Sequence, residues 1–222
     1  RGSFPDQRSE YVSAHPLTLE QAVNSLNMLY SMAEENETVW DFSFRTSFHV
    51  HVNVSDLEEE QALNIIYAYR LLESALFYKC ADVRKNNRFC LRANDSDYFI
   101  EVCDKAFHAG LKLAVRDCNV ADLRYSALNL ASISKHGTIE FRCKDATSDV
   151  SKMVEWVNML NDLVNWAISF ESPLEMFEYV QLNTHSLAHR VLGIEENLND
   201  FERDLSLSLQ IPFLYRARMV NK

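Results

Sequence analysis

The stretch RTSFHVHVNVS, residues 45–55, decides how this chain folds. In the two-residue period of a β-strand, Phe48, Val50, Val52 and Val54 face one way, and Arg45, Ser47, His49, His51 and Asn53 face the other. A second alternating stretch, GTIEFRCK at 137–144, turns Ile139, Phe141 and Cys143 inward and Thr138, Glu140, Arg142 and Lys144 outward. Strands of a parallel doubly wound sheet are covered on both faces and read as continuous apolar runs. Alternation over 42–54 and 137–144 predicts an antiparallel sheet instead, with helices on one face and solvent or a site on the other, an α+β arrangement. One polar row is ordinarily a solvated strand face. Two rows, His/His and Glu/Arg, point to a site.

Around these strands the pattern is helical. Thr18 with Gln21 is a capping-box signal, and Leu19, Val23, Leu26 and Tyr30 recur at helical spacing to about residue 36. Ser55 with Glu58 offers a second capping box before LEEEQALNIIYAYRLLESALFYK, a long helix. A weaker helical pattern covers 98–116, and LRYSALNLASI at 123–133 reads as extended. Asp149 opens a helix to about Phe170, Ser172-Pro173-Leu-Glu175 starts another, and 172–222 is mostly helical with a break at Gly193.

Length and apolar content, 222 residues and 47%, predict one domain with a substantial core. The formal charge of −10 sets the field against a phosphate-backbone partner, so nucleic acid is not expected. No apolar run resembles a signal peptide or a membrane span. Cys80, Cys90, Cys103, Cys118 and Cys143 form an odd set without C-x-x-C, which reads as reduced structural thiols in a cytoplasm. There is no G-x-x-x-x-G-K-S/T loop and no G-x-G-x-x-G, so a nucleotide would be held without either turn.

Several motifs occur together and in order: SEYVSAHPL at 9–17, HVHV at 49–52, Arg84-Lys-Asn-Asn87-Arg-Phe-Cys90, RYSALNL at 124–130, and HGTIEFR at 136–142 followed by Thr147. As a set they resemble the amidoligase family, relatives of glutamine synthetase and glutamate-cysteine ligase, over most of residues 9–170. The resemblance implies a glutamine-synthetase-like curved antiparallel sheet with helices on one face and the active site on the other. It also implies an ATP-dependent carboxylate-amine ligase that forms an amide or isopeptide bond through an acyl-phosphate. The partners would be a small-molecule or peptide carboxylate and an amine.

That chemistry explains the residue types. A carboxylate is a poor electrophile and is first phosphorylated, which gathers negative charge; Mg²⁺ on hard oxygen ligands and arginine offset it. By resemblance, Glu10, His49 and Glu140 would hold the metal, and His51 would lie near the nucleotide. Arg142, Arg124 and Asn129 would contact substrate carboxylate or phosphoryl oxygens. Arg84 and Asn87 would contact the nucleotide, although an arginine at a helix C-terminus also has a structural reading on its helix dipole. Family sequences begin with a G-x-E-x-E strand and a turn often ending Leu-Arg-Gly. The opening Arg1-Gly2-Ser3 resembles the end of that turn, so the first strand is expected to be missing and an open sheet edge is expected near Glu10.

Two other readings stay open. One is a metal-dependent hydrolase using the H-x-H strand, although a cupin would want a Glu shortly after H-x-H and more turn glycines. The other is a binding or assembly protein that kept the ligase fold and lost turnover. His185 and His189 share a helix face at i, i+4, but the intervening Ser-Leu-Ala lacks the Glu of H-E-x-x-H, which favours structure. His15, His108 and His136 have no partner that spacing identifies.

Overall fold

A computed structural model describes residues 12–15, 17–38, 40, 42–116, 118, 123, 125–182 and 187–194. Among them helix α1, Leu19–Glu35, starts at the expected capping box: Gln21 N–H donates to Thr18 Oγ1 and Thr18 N–H to Gln21 Oε1. Strand β1 is Val50–Asn53, β2 is Leu128–Asn129 and β3 is Thr138–Phe141. They form one antiparallel sheet in the order β1-β3-β2, with His51 opposite Glu140 and Asn129 also opposite Glu140. The α+β arrangement holds. The described strands make a small three-stranded sheet, and the larger curved sheet implied by the resemblance is not seen among the described residues.

The strand predicted over 42–54 is shorter than its alternation suggests. Thr46 N–H closes a turn on Ser43 O, and upstream of Val50 only Ser47 bridges, to Asp145. Upstream of Val50 the pairing resumes one residue out of register, with Phe48 N–H on Lys144 O and Ser47 bridged to Asp145, so the regular ladder of β1 ends at Val50. The reading of 123–133 as extended is also corrected: only Leu128–Asn129 is strand, and Ala131–His136 is helix α6. Asn129 causes the switch, because its side-chain oxygen accepts from Ala131 N–H, an Asx turn that redirects the backbone. Helix α2, Glu59–Tyr78, is capped by Glu58 with Gln61 and not by Ser55 with Glu58, a one-turn shift between two overlapping capping patterns.

Helix α2 is buried nearly all round from Ala62 to Phe77, which marks the central helix of the core. Its Tyr69 meets Phe141 edge-on at 5.8 Å, so α2 lies against the inner face of β3, where Ile139, Phe141 and Cys143 have no exposure. Short α3, Asp82–Lys85, follows. Helices α4, Asp97–Ala109, and α5, Leu111–Arg116, pack on each other. Helix α7, Val150–Ile168, starts at the predicted Asp149 cap and packs on α2 and α1; α8, Pro173–Leu182, packs on α2. Helix α9, Leu187–Leu192, ends before Gly193, whose φ of 63° matches the predicted break. Two buried polar side chains on α2 bond to loops: Glu73 accepts from the amides of Ala93 and Asn94 at 2.6 and 3.0 Å, and Asn64 donates to Phe170 O at 2.9 Å. None of the five cysteines is in a disulfide, and no helix of the described residues is long and apolar enough to cross a membrane.

Gly137 sets the approach of β3 to β1. It ends α6 at φ 66°, its carbonyl accepts from Val54 N–H and Ser55 Oγ, and a Cβ there would run into the Ser55 hydroxyl. Gly137→Ala is expected to cost about 1–2 kcal/mol from the left-handed backbone alone. Adding Ser55→Ala should relieve the clash but leave that cost, which thermal melts of the single and double variants will separate.

Candidate functional site

The outer face of the sheet converges on one carboxylate. Glu140 Oε1 accepts from His49 Nδ1 at 2.9 Å and from Arg142 Nη1 at 3.0 Å, and Oε2 accepts from Asn129 Nδ2 at 2.6 Å. His51 Nε2 lies 3.7 Å from the same Oε1. The register is the cause: His51 and Asn129 are the cross-strand neighbours of Glu140 on either side, while His49 and Arg142 are each two residues along on the same face. These neighbours cover Glu140, which is only 6% exposed, so this row is not the solvated face that one strand alone would suggest.

Each neighbour is itself oriented. His49 gives Nδ1–H to the carboxylate while its Nε2 lies 2.6 Å from Ser47 Oγ. Asn129 is fixed at both ends, its NH₂ on Glu140 and its oxygen on Ala131 N–H. His51 Nδ1 lies 2.9 Å from Thr138 Oγ1, the next residue outward on β3. The ring of His136 stands 6.4 Å from that of His51, edge to face. Sequence reasoning missed His136 because the contact comes from the αL turn at Gly137 folding α6 back over the sheet; no spacing along the chain encodes it.

Burial alone would push the Glu140 carboxyl up. The hydrogen bond from His49, the Arg142 guanidinium and the Asn129 amide outweigh it and hold the pKa at about 2. His51 is shifted down: burial disfavours its cation, Glu140 opposes this, and repulsion from the His49 and His136 rings and the Arg142 guanidinium adds to it. Arg142 keeps a buried Nε without a hydrogen-bond partner. An orphaned buried donor is costly, and an oxyanion that accepted from it would remove that cost.

Arg84 and Asn87 are not brought to this cluster. Arg84 is buried and donates to the carbonyls of Cys143 at 3.2 Å, Arg142 at 2.7 Å and Phe44 at 3.4 Å. Asn87 donates to Phe44 O and Val83 O and accepts from Phe89 N–H. The structural reading of Arg84 is thus the one its contacts follow, through loop carbonyls and not through a helix dipole. Glu10, Arg124 and His185 lie outside the described residues. His189 sits in α9.

Mg²⁺ asks for six oxygens in near-octahedral array. The described residues offer one carboxylate at this face, Glu140, with both oxygens already bonded, and no group of three His, Cys, Asp or Glu side chains that could hold a metal. The described residues alone do not fit the ion, and the expected metal site depends on Glu10. An oxyanion fits better, at the unpartnered donor of Arg142.

A family model described as "Putative amidoligase enzyme" matches residues 8–164, which include every described member of the cluster. No curated protein and no solved structure matches the chain.

The depressed Glu140 pKa makes a stability statement. Its folded value lies below the ordinary 4.5, so its contribution is full above about pH 4.5 and is lost as pH falls through about 2. The shift corresponds to an upper bound on the order of 3 kcal/mol. The melting temperature of the parent should therefore fall more steeply from pH 5 to pH 2.5 than that of Glu140→Gln. Parallel curves would mean that the carboxylate is not held ionised.

Proposed function

Because the chain belongs to the amidoligase family, we propose that it is an ATP-dependent carboxylate-amine ligase whose reacting carboxylate docks on the Glu140 face beside Arg142 and Asn129. The observation that carries this reading is the paired state of that face: a buried carboxylate kept ionised next to a guanidinium with one unpartnered buried donor. In the proposed reaction the γ-phosphoryl group passes from ATP to a carboxylate oxygen. The amine nitrogen then attacks the acyl carbon, phosphate leaves, and the nitrogen gives up a proton.

Arg142 has the chemistry for the first step. Its guanidinium is positioned before the reaction by Glu140, so donors already point where charge develops and little reorganisation is needed. Asn129 supplies a neutral donor, and its two anchored ends prevent the amide from rotating away. His49 and Ser47 keep Glu140 in place from the β1 side. In this reading Glu10, His49 and Glu140 would together hold Mg²⁺, which would neutralise phosphate charge. The five free cysteines and the lack of any C-x-x-C fit a reducing cytoplasm as the place of action.

The test is phosphate released from ATP with Mg²⁺, a panel of carboxylates and an amine. Arg142→Ala should lose about 10³-fold or more, the scale of a phosphoryl-clamping arginine. Glu140→Ala should be inactive, since it removes both the carboxylate and the anchor of Arg142. His189→Ala should keep the parent rate. Turnover by Glu140→Ala at the parent rate would refute the assignment of this face.

A further inference from the structure

Three thiols that the ligase reading does not use meet beside the site arginine. Cys80 stands just past the end of α2, Cys90 in the loop after α3, and Cys143 next to Arg142. They are 5%, 2% and 0% exposed and belong to one apolar cluster.

Bonds on either side hold these segments together. Lys144 Nζ donates to Lys79 O at 2.8 Å, and Ala81 N–H donates to Asp145 Oδ1 at 2.9 Å, so the residues flanking Cys80 are both fastened to the segment that begins at Cys143. Arg84 Nε donates to Cys143 O at 3.2 Å, from one turn further along the same loop. Cys80 Sγ donates to Leu76 O at 3.3 Å, and Cys90 Sγ donates to Arg142 O at 3.5 Å.

The three thiols are not equivalent. Burial pushes the Cys143 thiol well up, and among its neighbours Cys80 adds most to this, ahead of Cys90. Burial also pushes Cys90 up to about 11. Cys80 is the least buried of the set and is flanked by the exposed Tyr78 and Ala81. A surface cavity of about 400 Å³ has Cys90 in its wall, which brings solvent to the edge of the cluster. Protonated thiols in an apolar pocket resist bulky disulfide reagents, because exchange needs both a thiolate and access. A hydroperoxide of nearly the size of water meets the access requirement.

We propose that Cys80 and Cys143 are a dithiol that a hydroperoxide closes into a disulfide, locking the end of α2 to the segment that carries Arg142. In the first step the Cys80 sulfur, as thiolate, attacks a peroxide oxygen. The O–O bond breaks, an S–O bond forms, and the leaving oxygen takes up the proton that Cys80 released. In the second step the Cys143 sulfur attacks the sulfenic sulfur of Cys80. The S–S bond forms, the S–O bond breaks, and the Cys143 proton leaves with the hydroxide as water. Two thiols lose two electrons and one peroxide gains them. Arg142 O is already held by Arg84 and Cys90, so the cross-link fixes the backbone on the other side of a residue anchored in place. The dithiol does not rest on the ligase reading.

The test treats the reduced full chain with hydrogen peroxide, alkylates the remaining thiols in denaturant, and maps the digest by mass spectrometry. A linked peptide pair joining Cys80 to Cys143, lost on treatment with dithiothreitol, is expected. Cys90→Ala should keep the link. Cys80→Ser, whose hydroxyl can still reach Leu76 O, should lose it while melting near the parent; Cys143→Ala gives the same loss from the other partner should that variant fold poorly. The oxidised parent should melt several degrees above the reduced parent, since the link closes a long loop, and Cys80→Ser should show no such rise. The proposal is overturned if no disulfide forms at a peroxide dose that oxidises free glutathione in the same tube, if the link joins Cys90 or Cys118 instead, or if Cys80 passes to the sulfinic acid uncrosslinked. It is also overturned if oxidation lowers the melting temperature, because the pair would then reach disulfide geometry only by distorting the fold. A Cys80–Cys143 link in a chain that breaks down no ATP would uphold the dithiol and count against the ligase reading.

Discussion

Glu140 stands at the middle strand of the sheet with almost no exposure, and an isolated carboxylate in that position would protonate rather than bear its desolvation. It stays ionised because three donors from three strand segments reach it: His49 before β1, Asn129 on β2 and Arg142 just past β3. The same contacts that stabilise the charge therefore bind the strands together on their polar face. Removing any one donor would leave the others around a poorly compensated charge, and removing the carboxylate would leave a buried guanidinium without its partner.

The apolar face carries a matching constraint. Phe141 and Cys143 sit beneath Arg142 in the alternation, locked against Tyr69 of α2 and the neighbouring core. Arg84 then holds the backbone of Arg142 and Cys143 from the side through their carbonyls. Arg142 is thus held through its main chain by a structural arginine and through its side chain by Glu140. A group meant to stabilise a transition state benefits from such double anchoring, because its orientation does not have to be found anew in each encounter.

Sequence alternation was enough to place His49, His51, Glu140 and Arg142 on one face, because a strand's two-residue period leaves no freedom once one face is apolar. The capping boxes at Thr18 and the Asp149 cap were legible for a similar reason: their bonding partners lie within three residues. What sequence could not give was anything decided by chain reversal. The length of β1 depended on whether its register with β3 continued, and between Val50–Phe141 and Ser47–Asp145 the pairing slips by one residue. The helix at Ala131–His136 depended on Asn129 turning its side-chain oxygen to Ala131, although the same residue in an extended strand would serve equally well as a site donor. His136 reaches His51 only through such a reversal, at Gly137. Arg84 and Asn87 matched a motif, yet a motif records residue types and not whether a guanidinium is used by ligand or by loop carbonyls.

The charge distribution gives the face a direction. A chain of −10 repels anions on average, and acidic residues such as Glu58, Glu59 and Glu60 crowd the start of α2. On the site face the order is different: a carboxylate already neutralised by Arg142 and its neighbours, then Arg142 with an unused donor. An anionic ligand approaching this protein meets a local field opposed to the global one, and at ordinary ionic strength screening over about 8–10 Å makes the local field the one that counts. On this face the cation stands where the carboxylate of Glu140 holds it, with the Arg142 guanidinium 3.0 Å from Oε1.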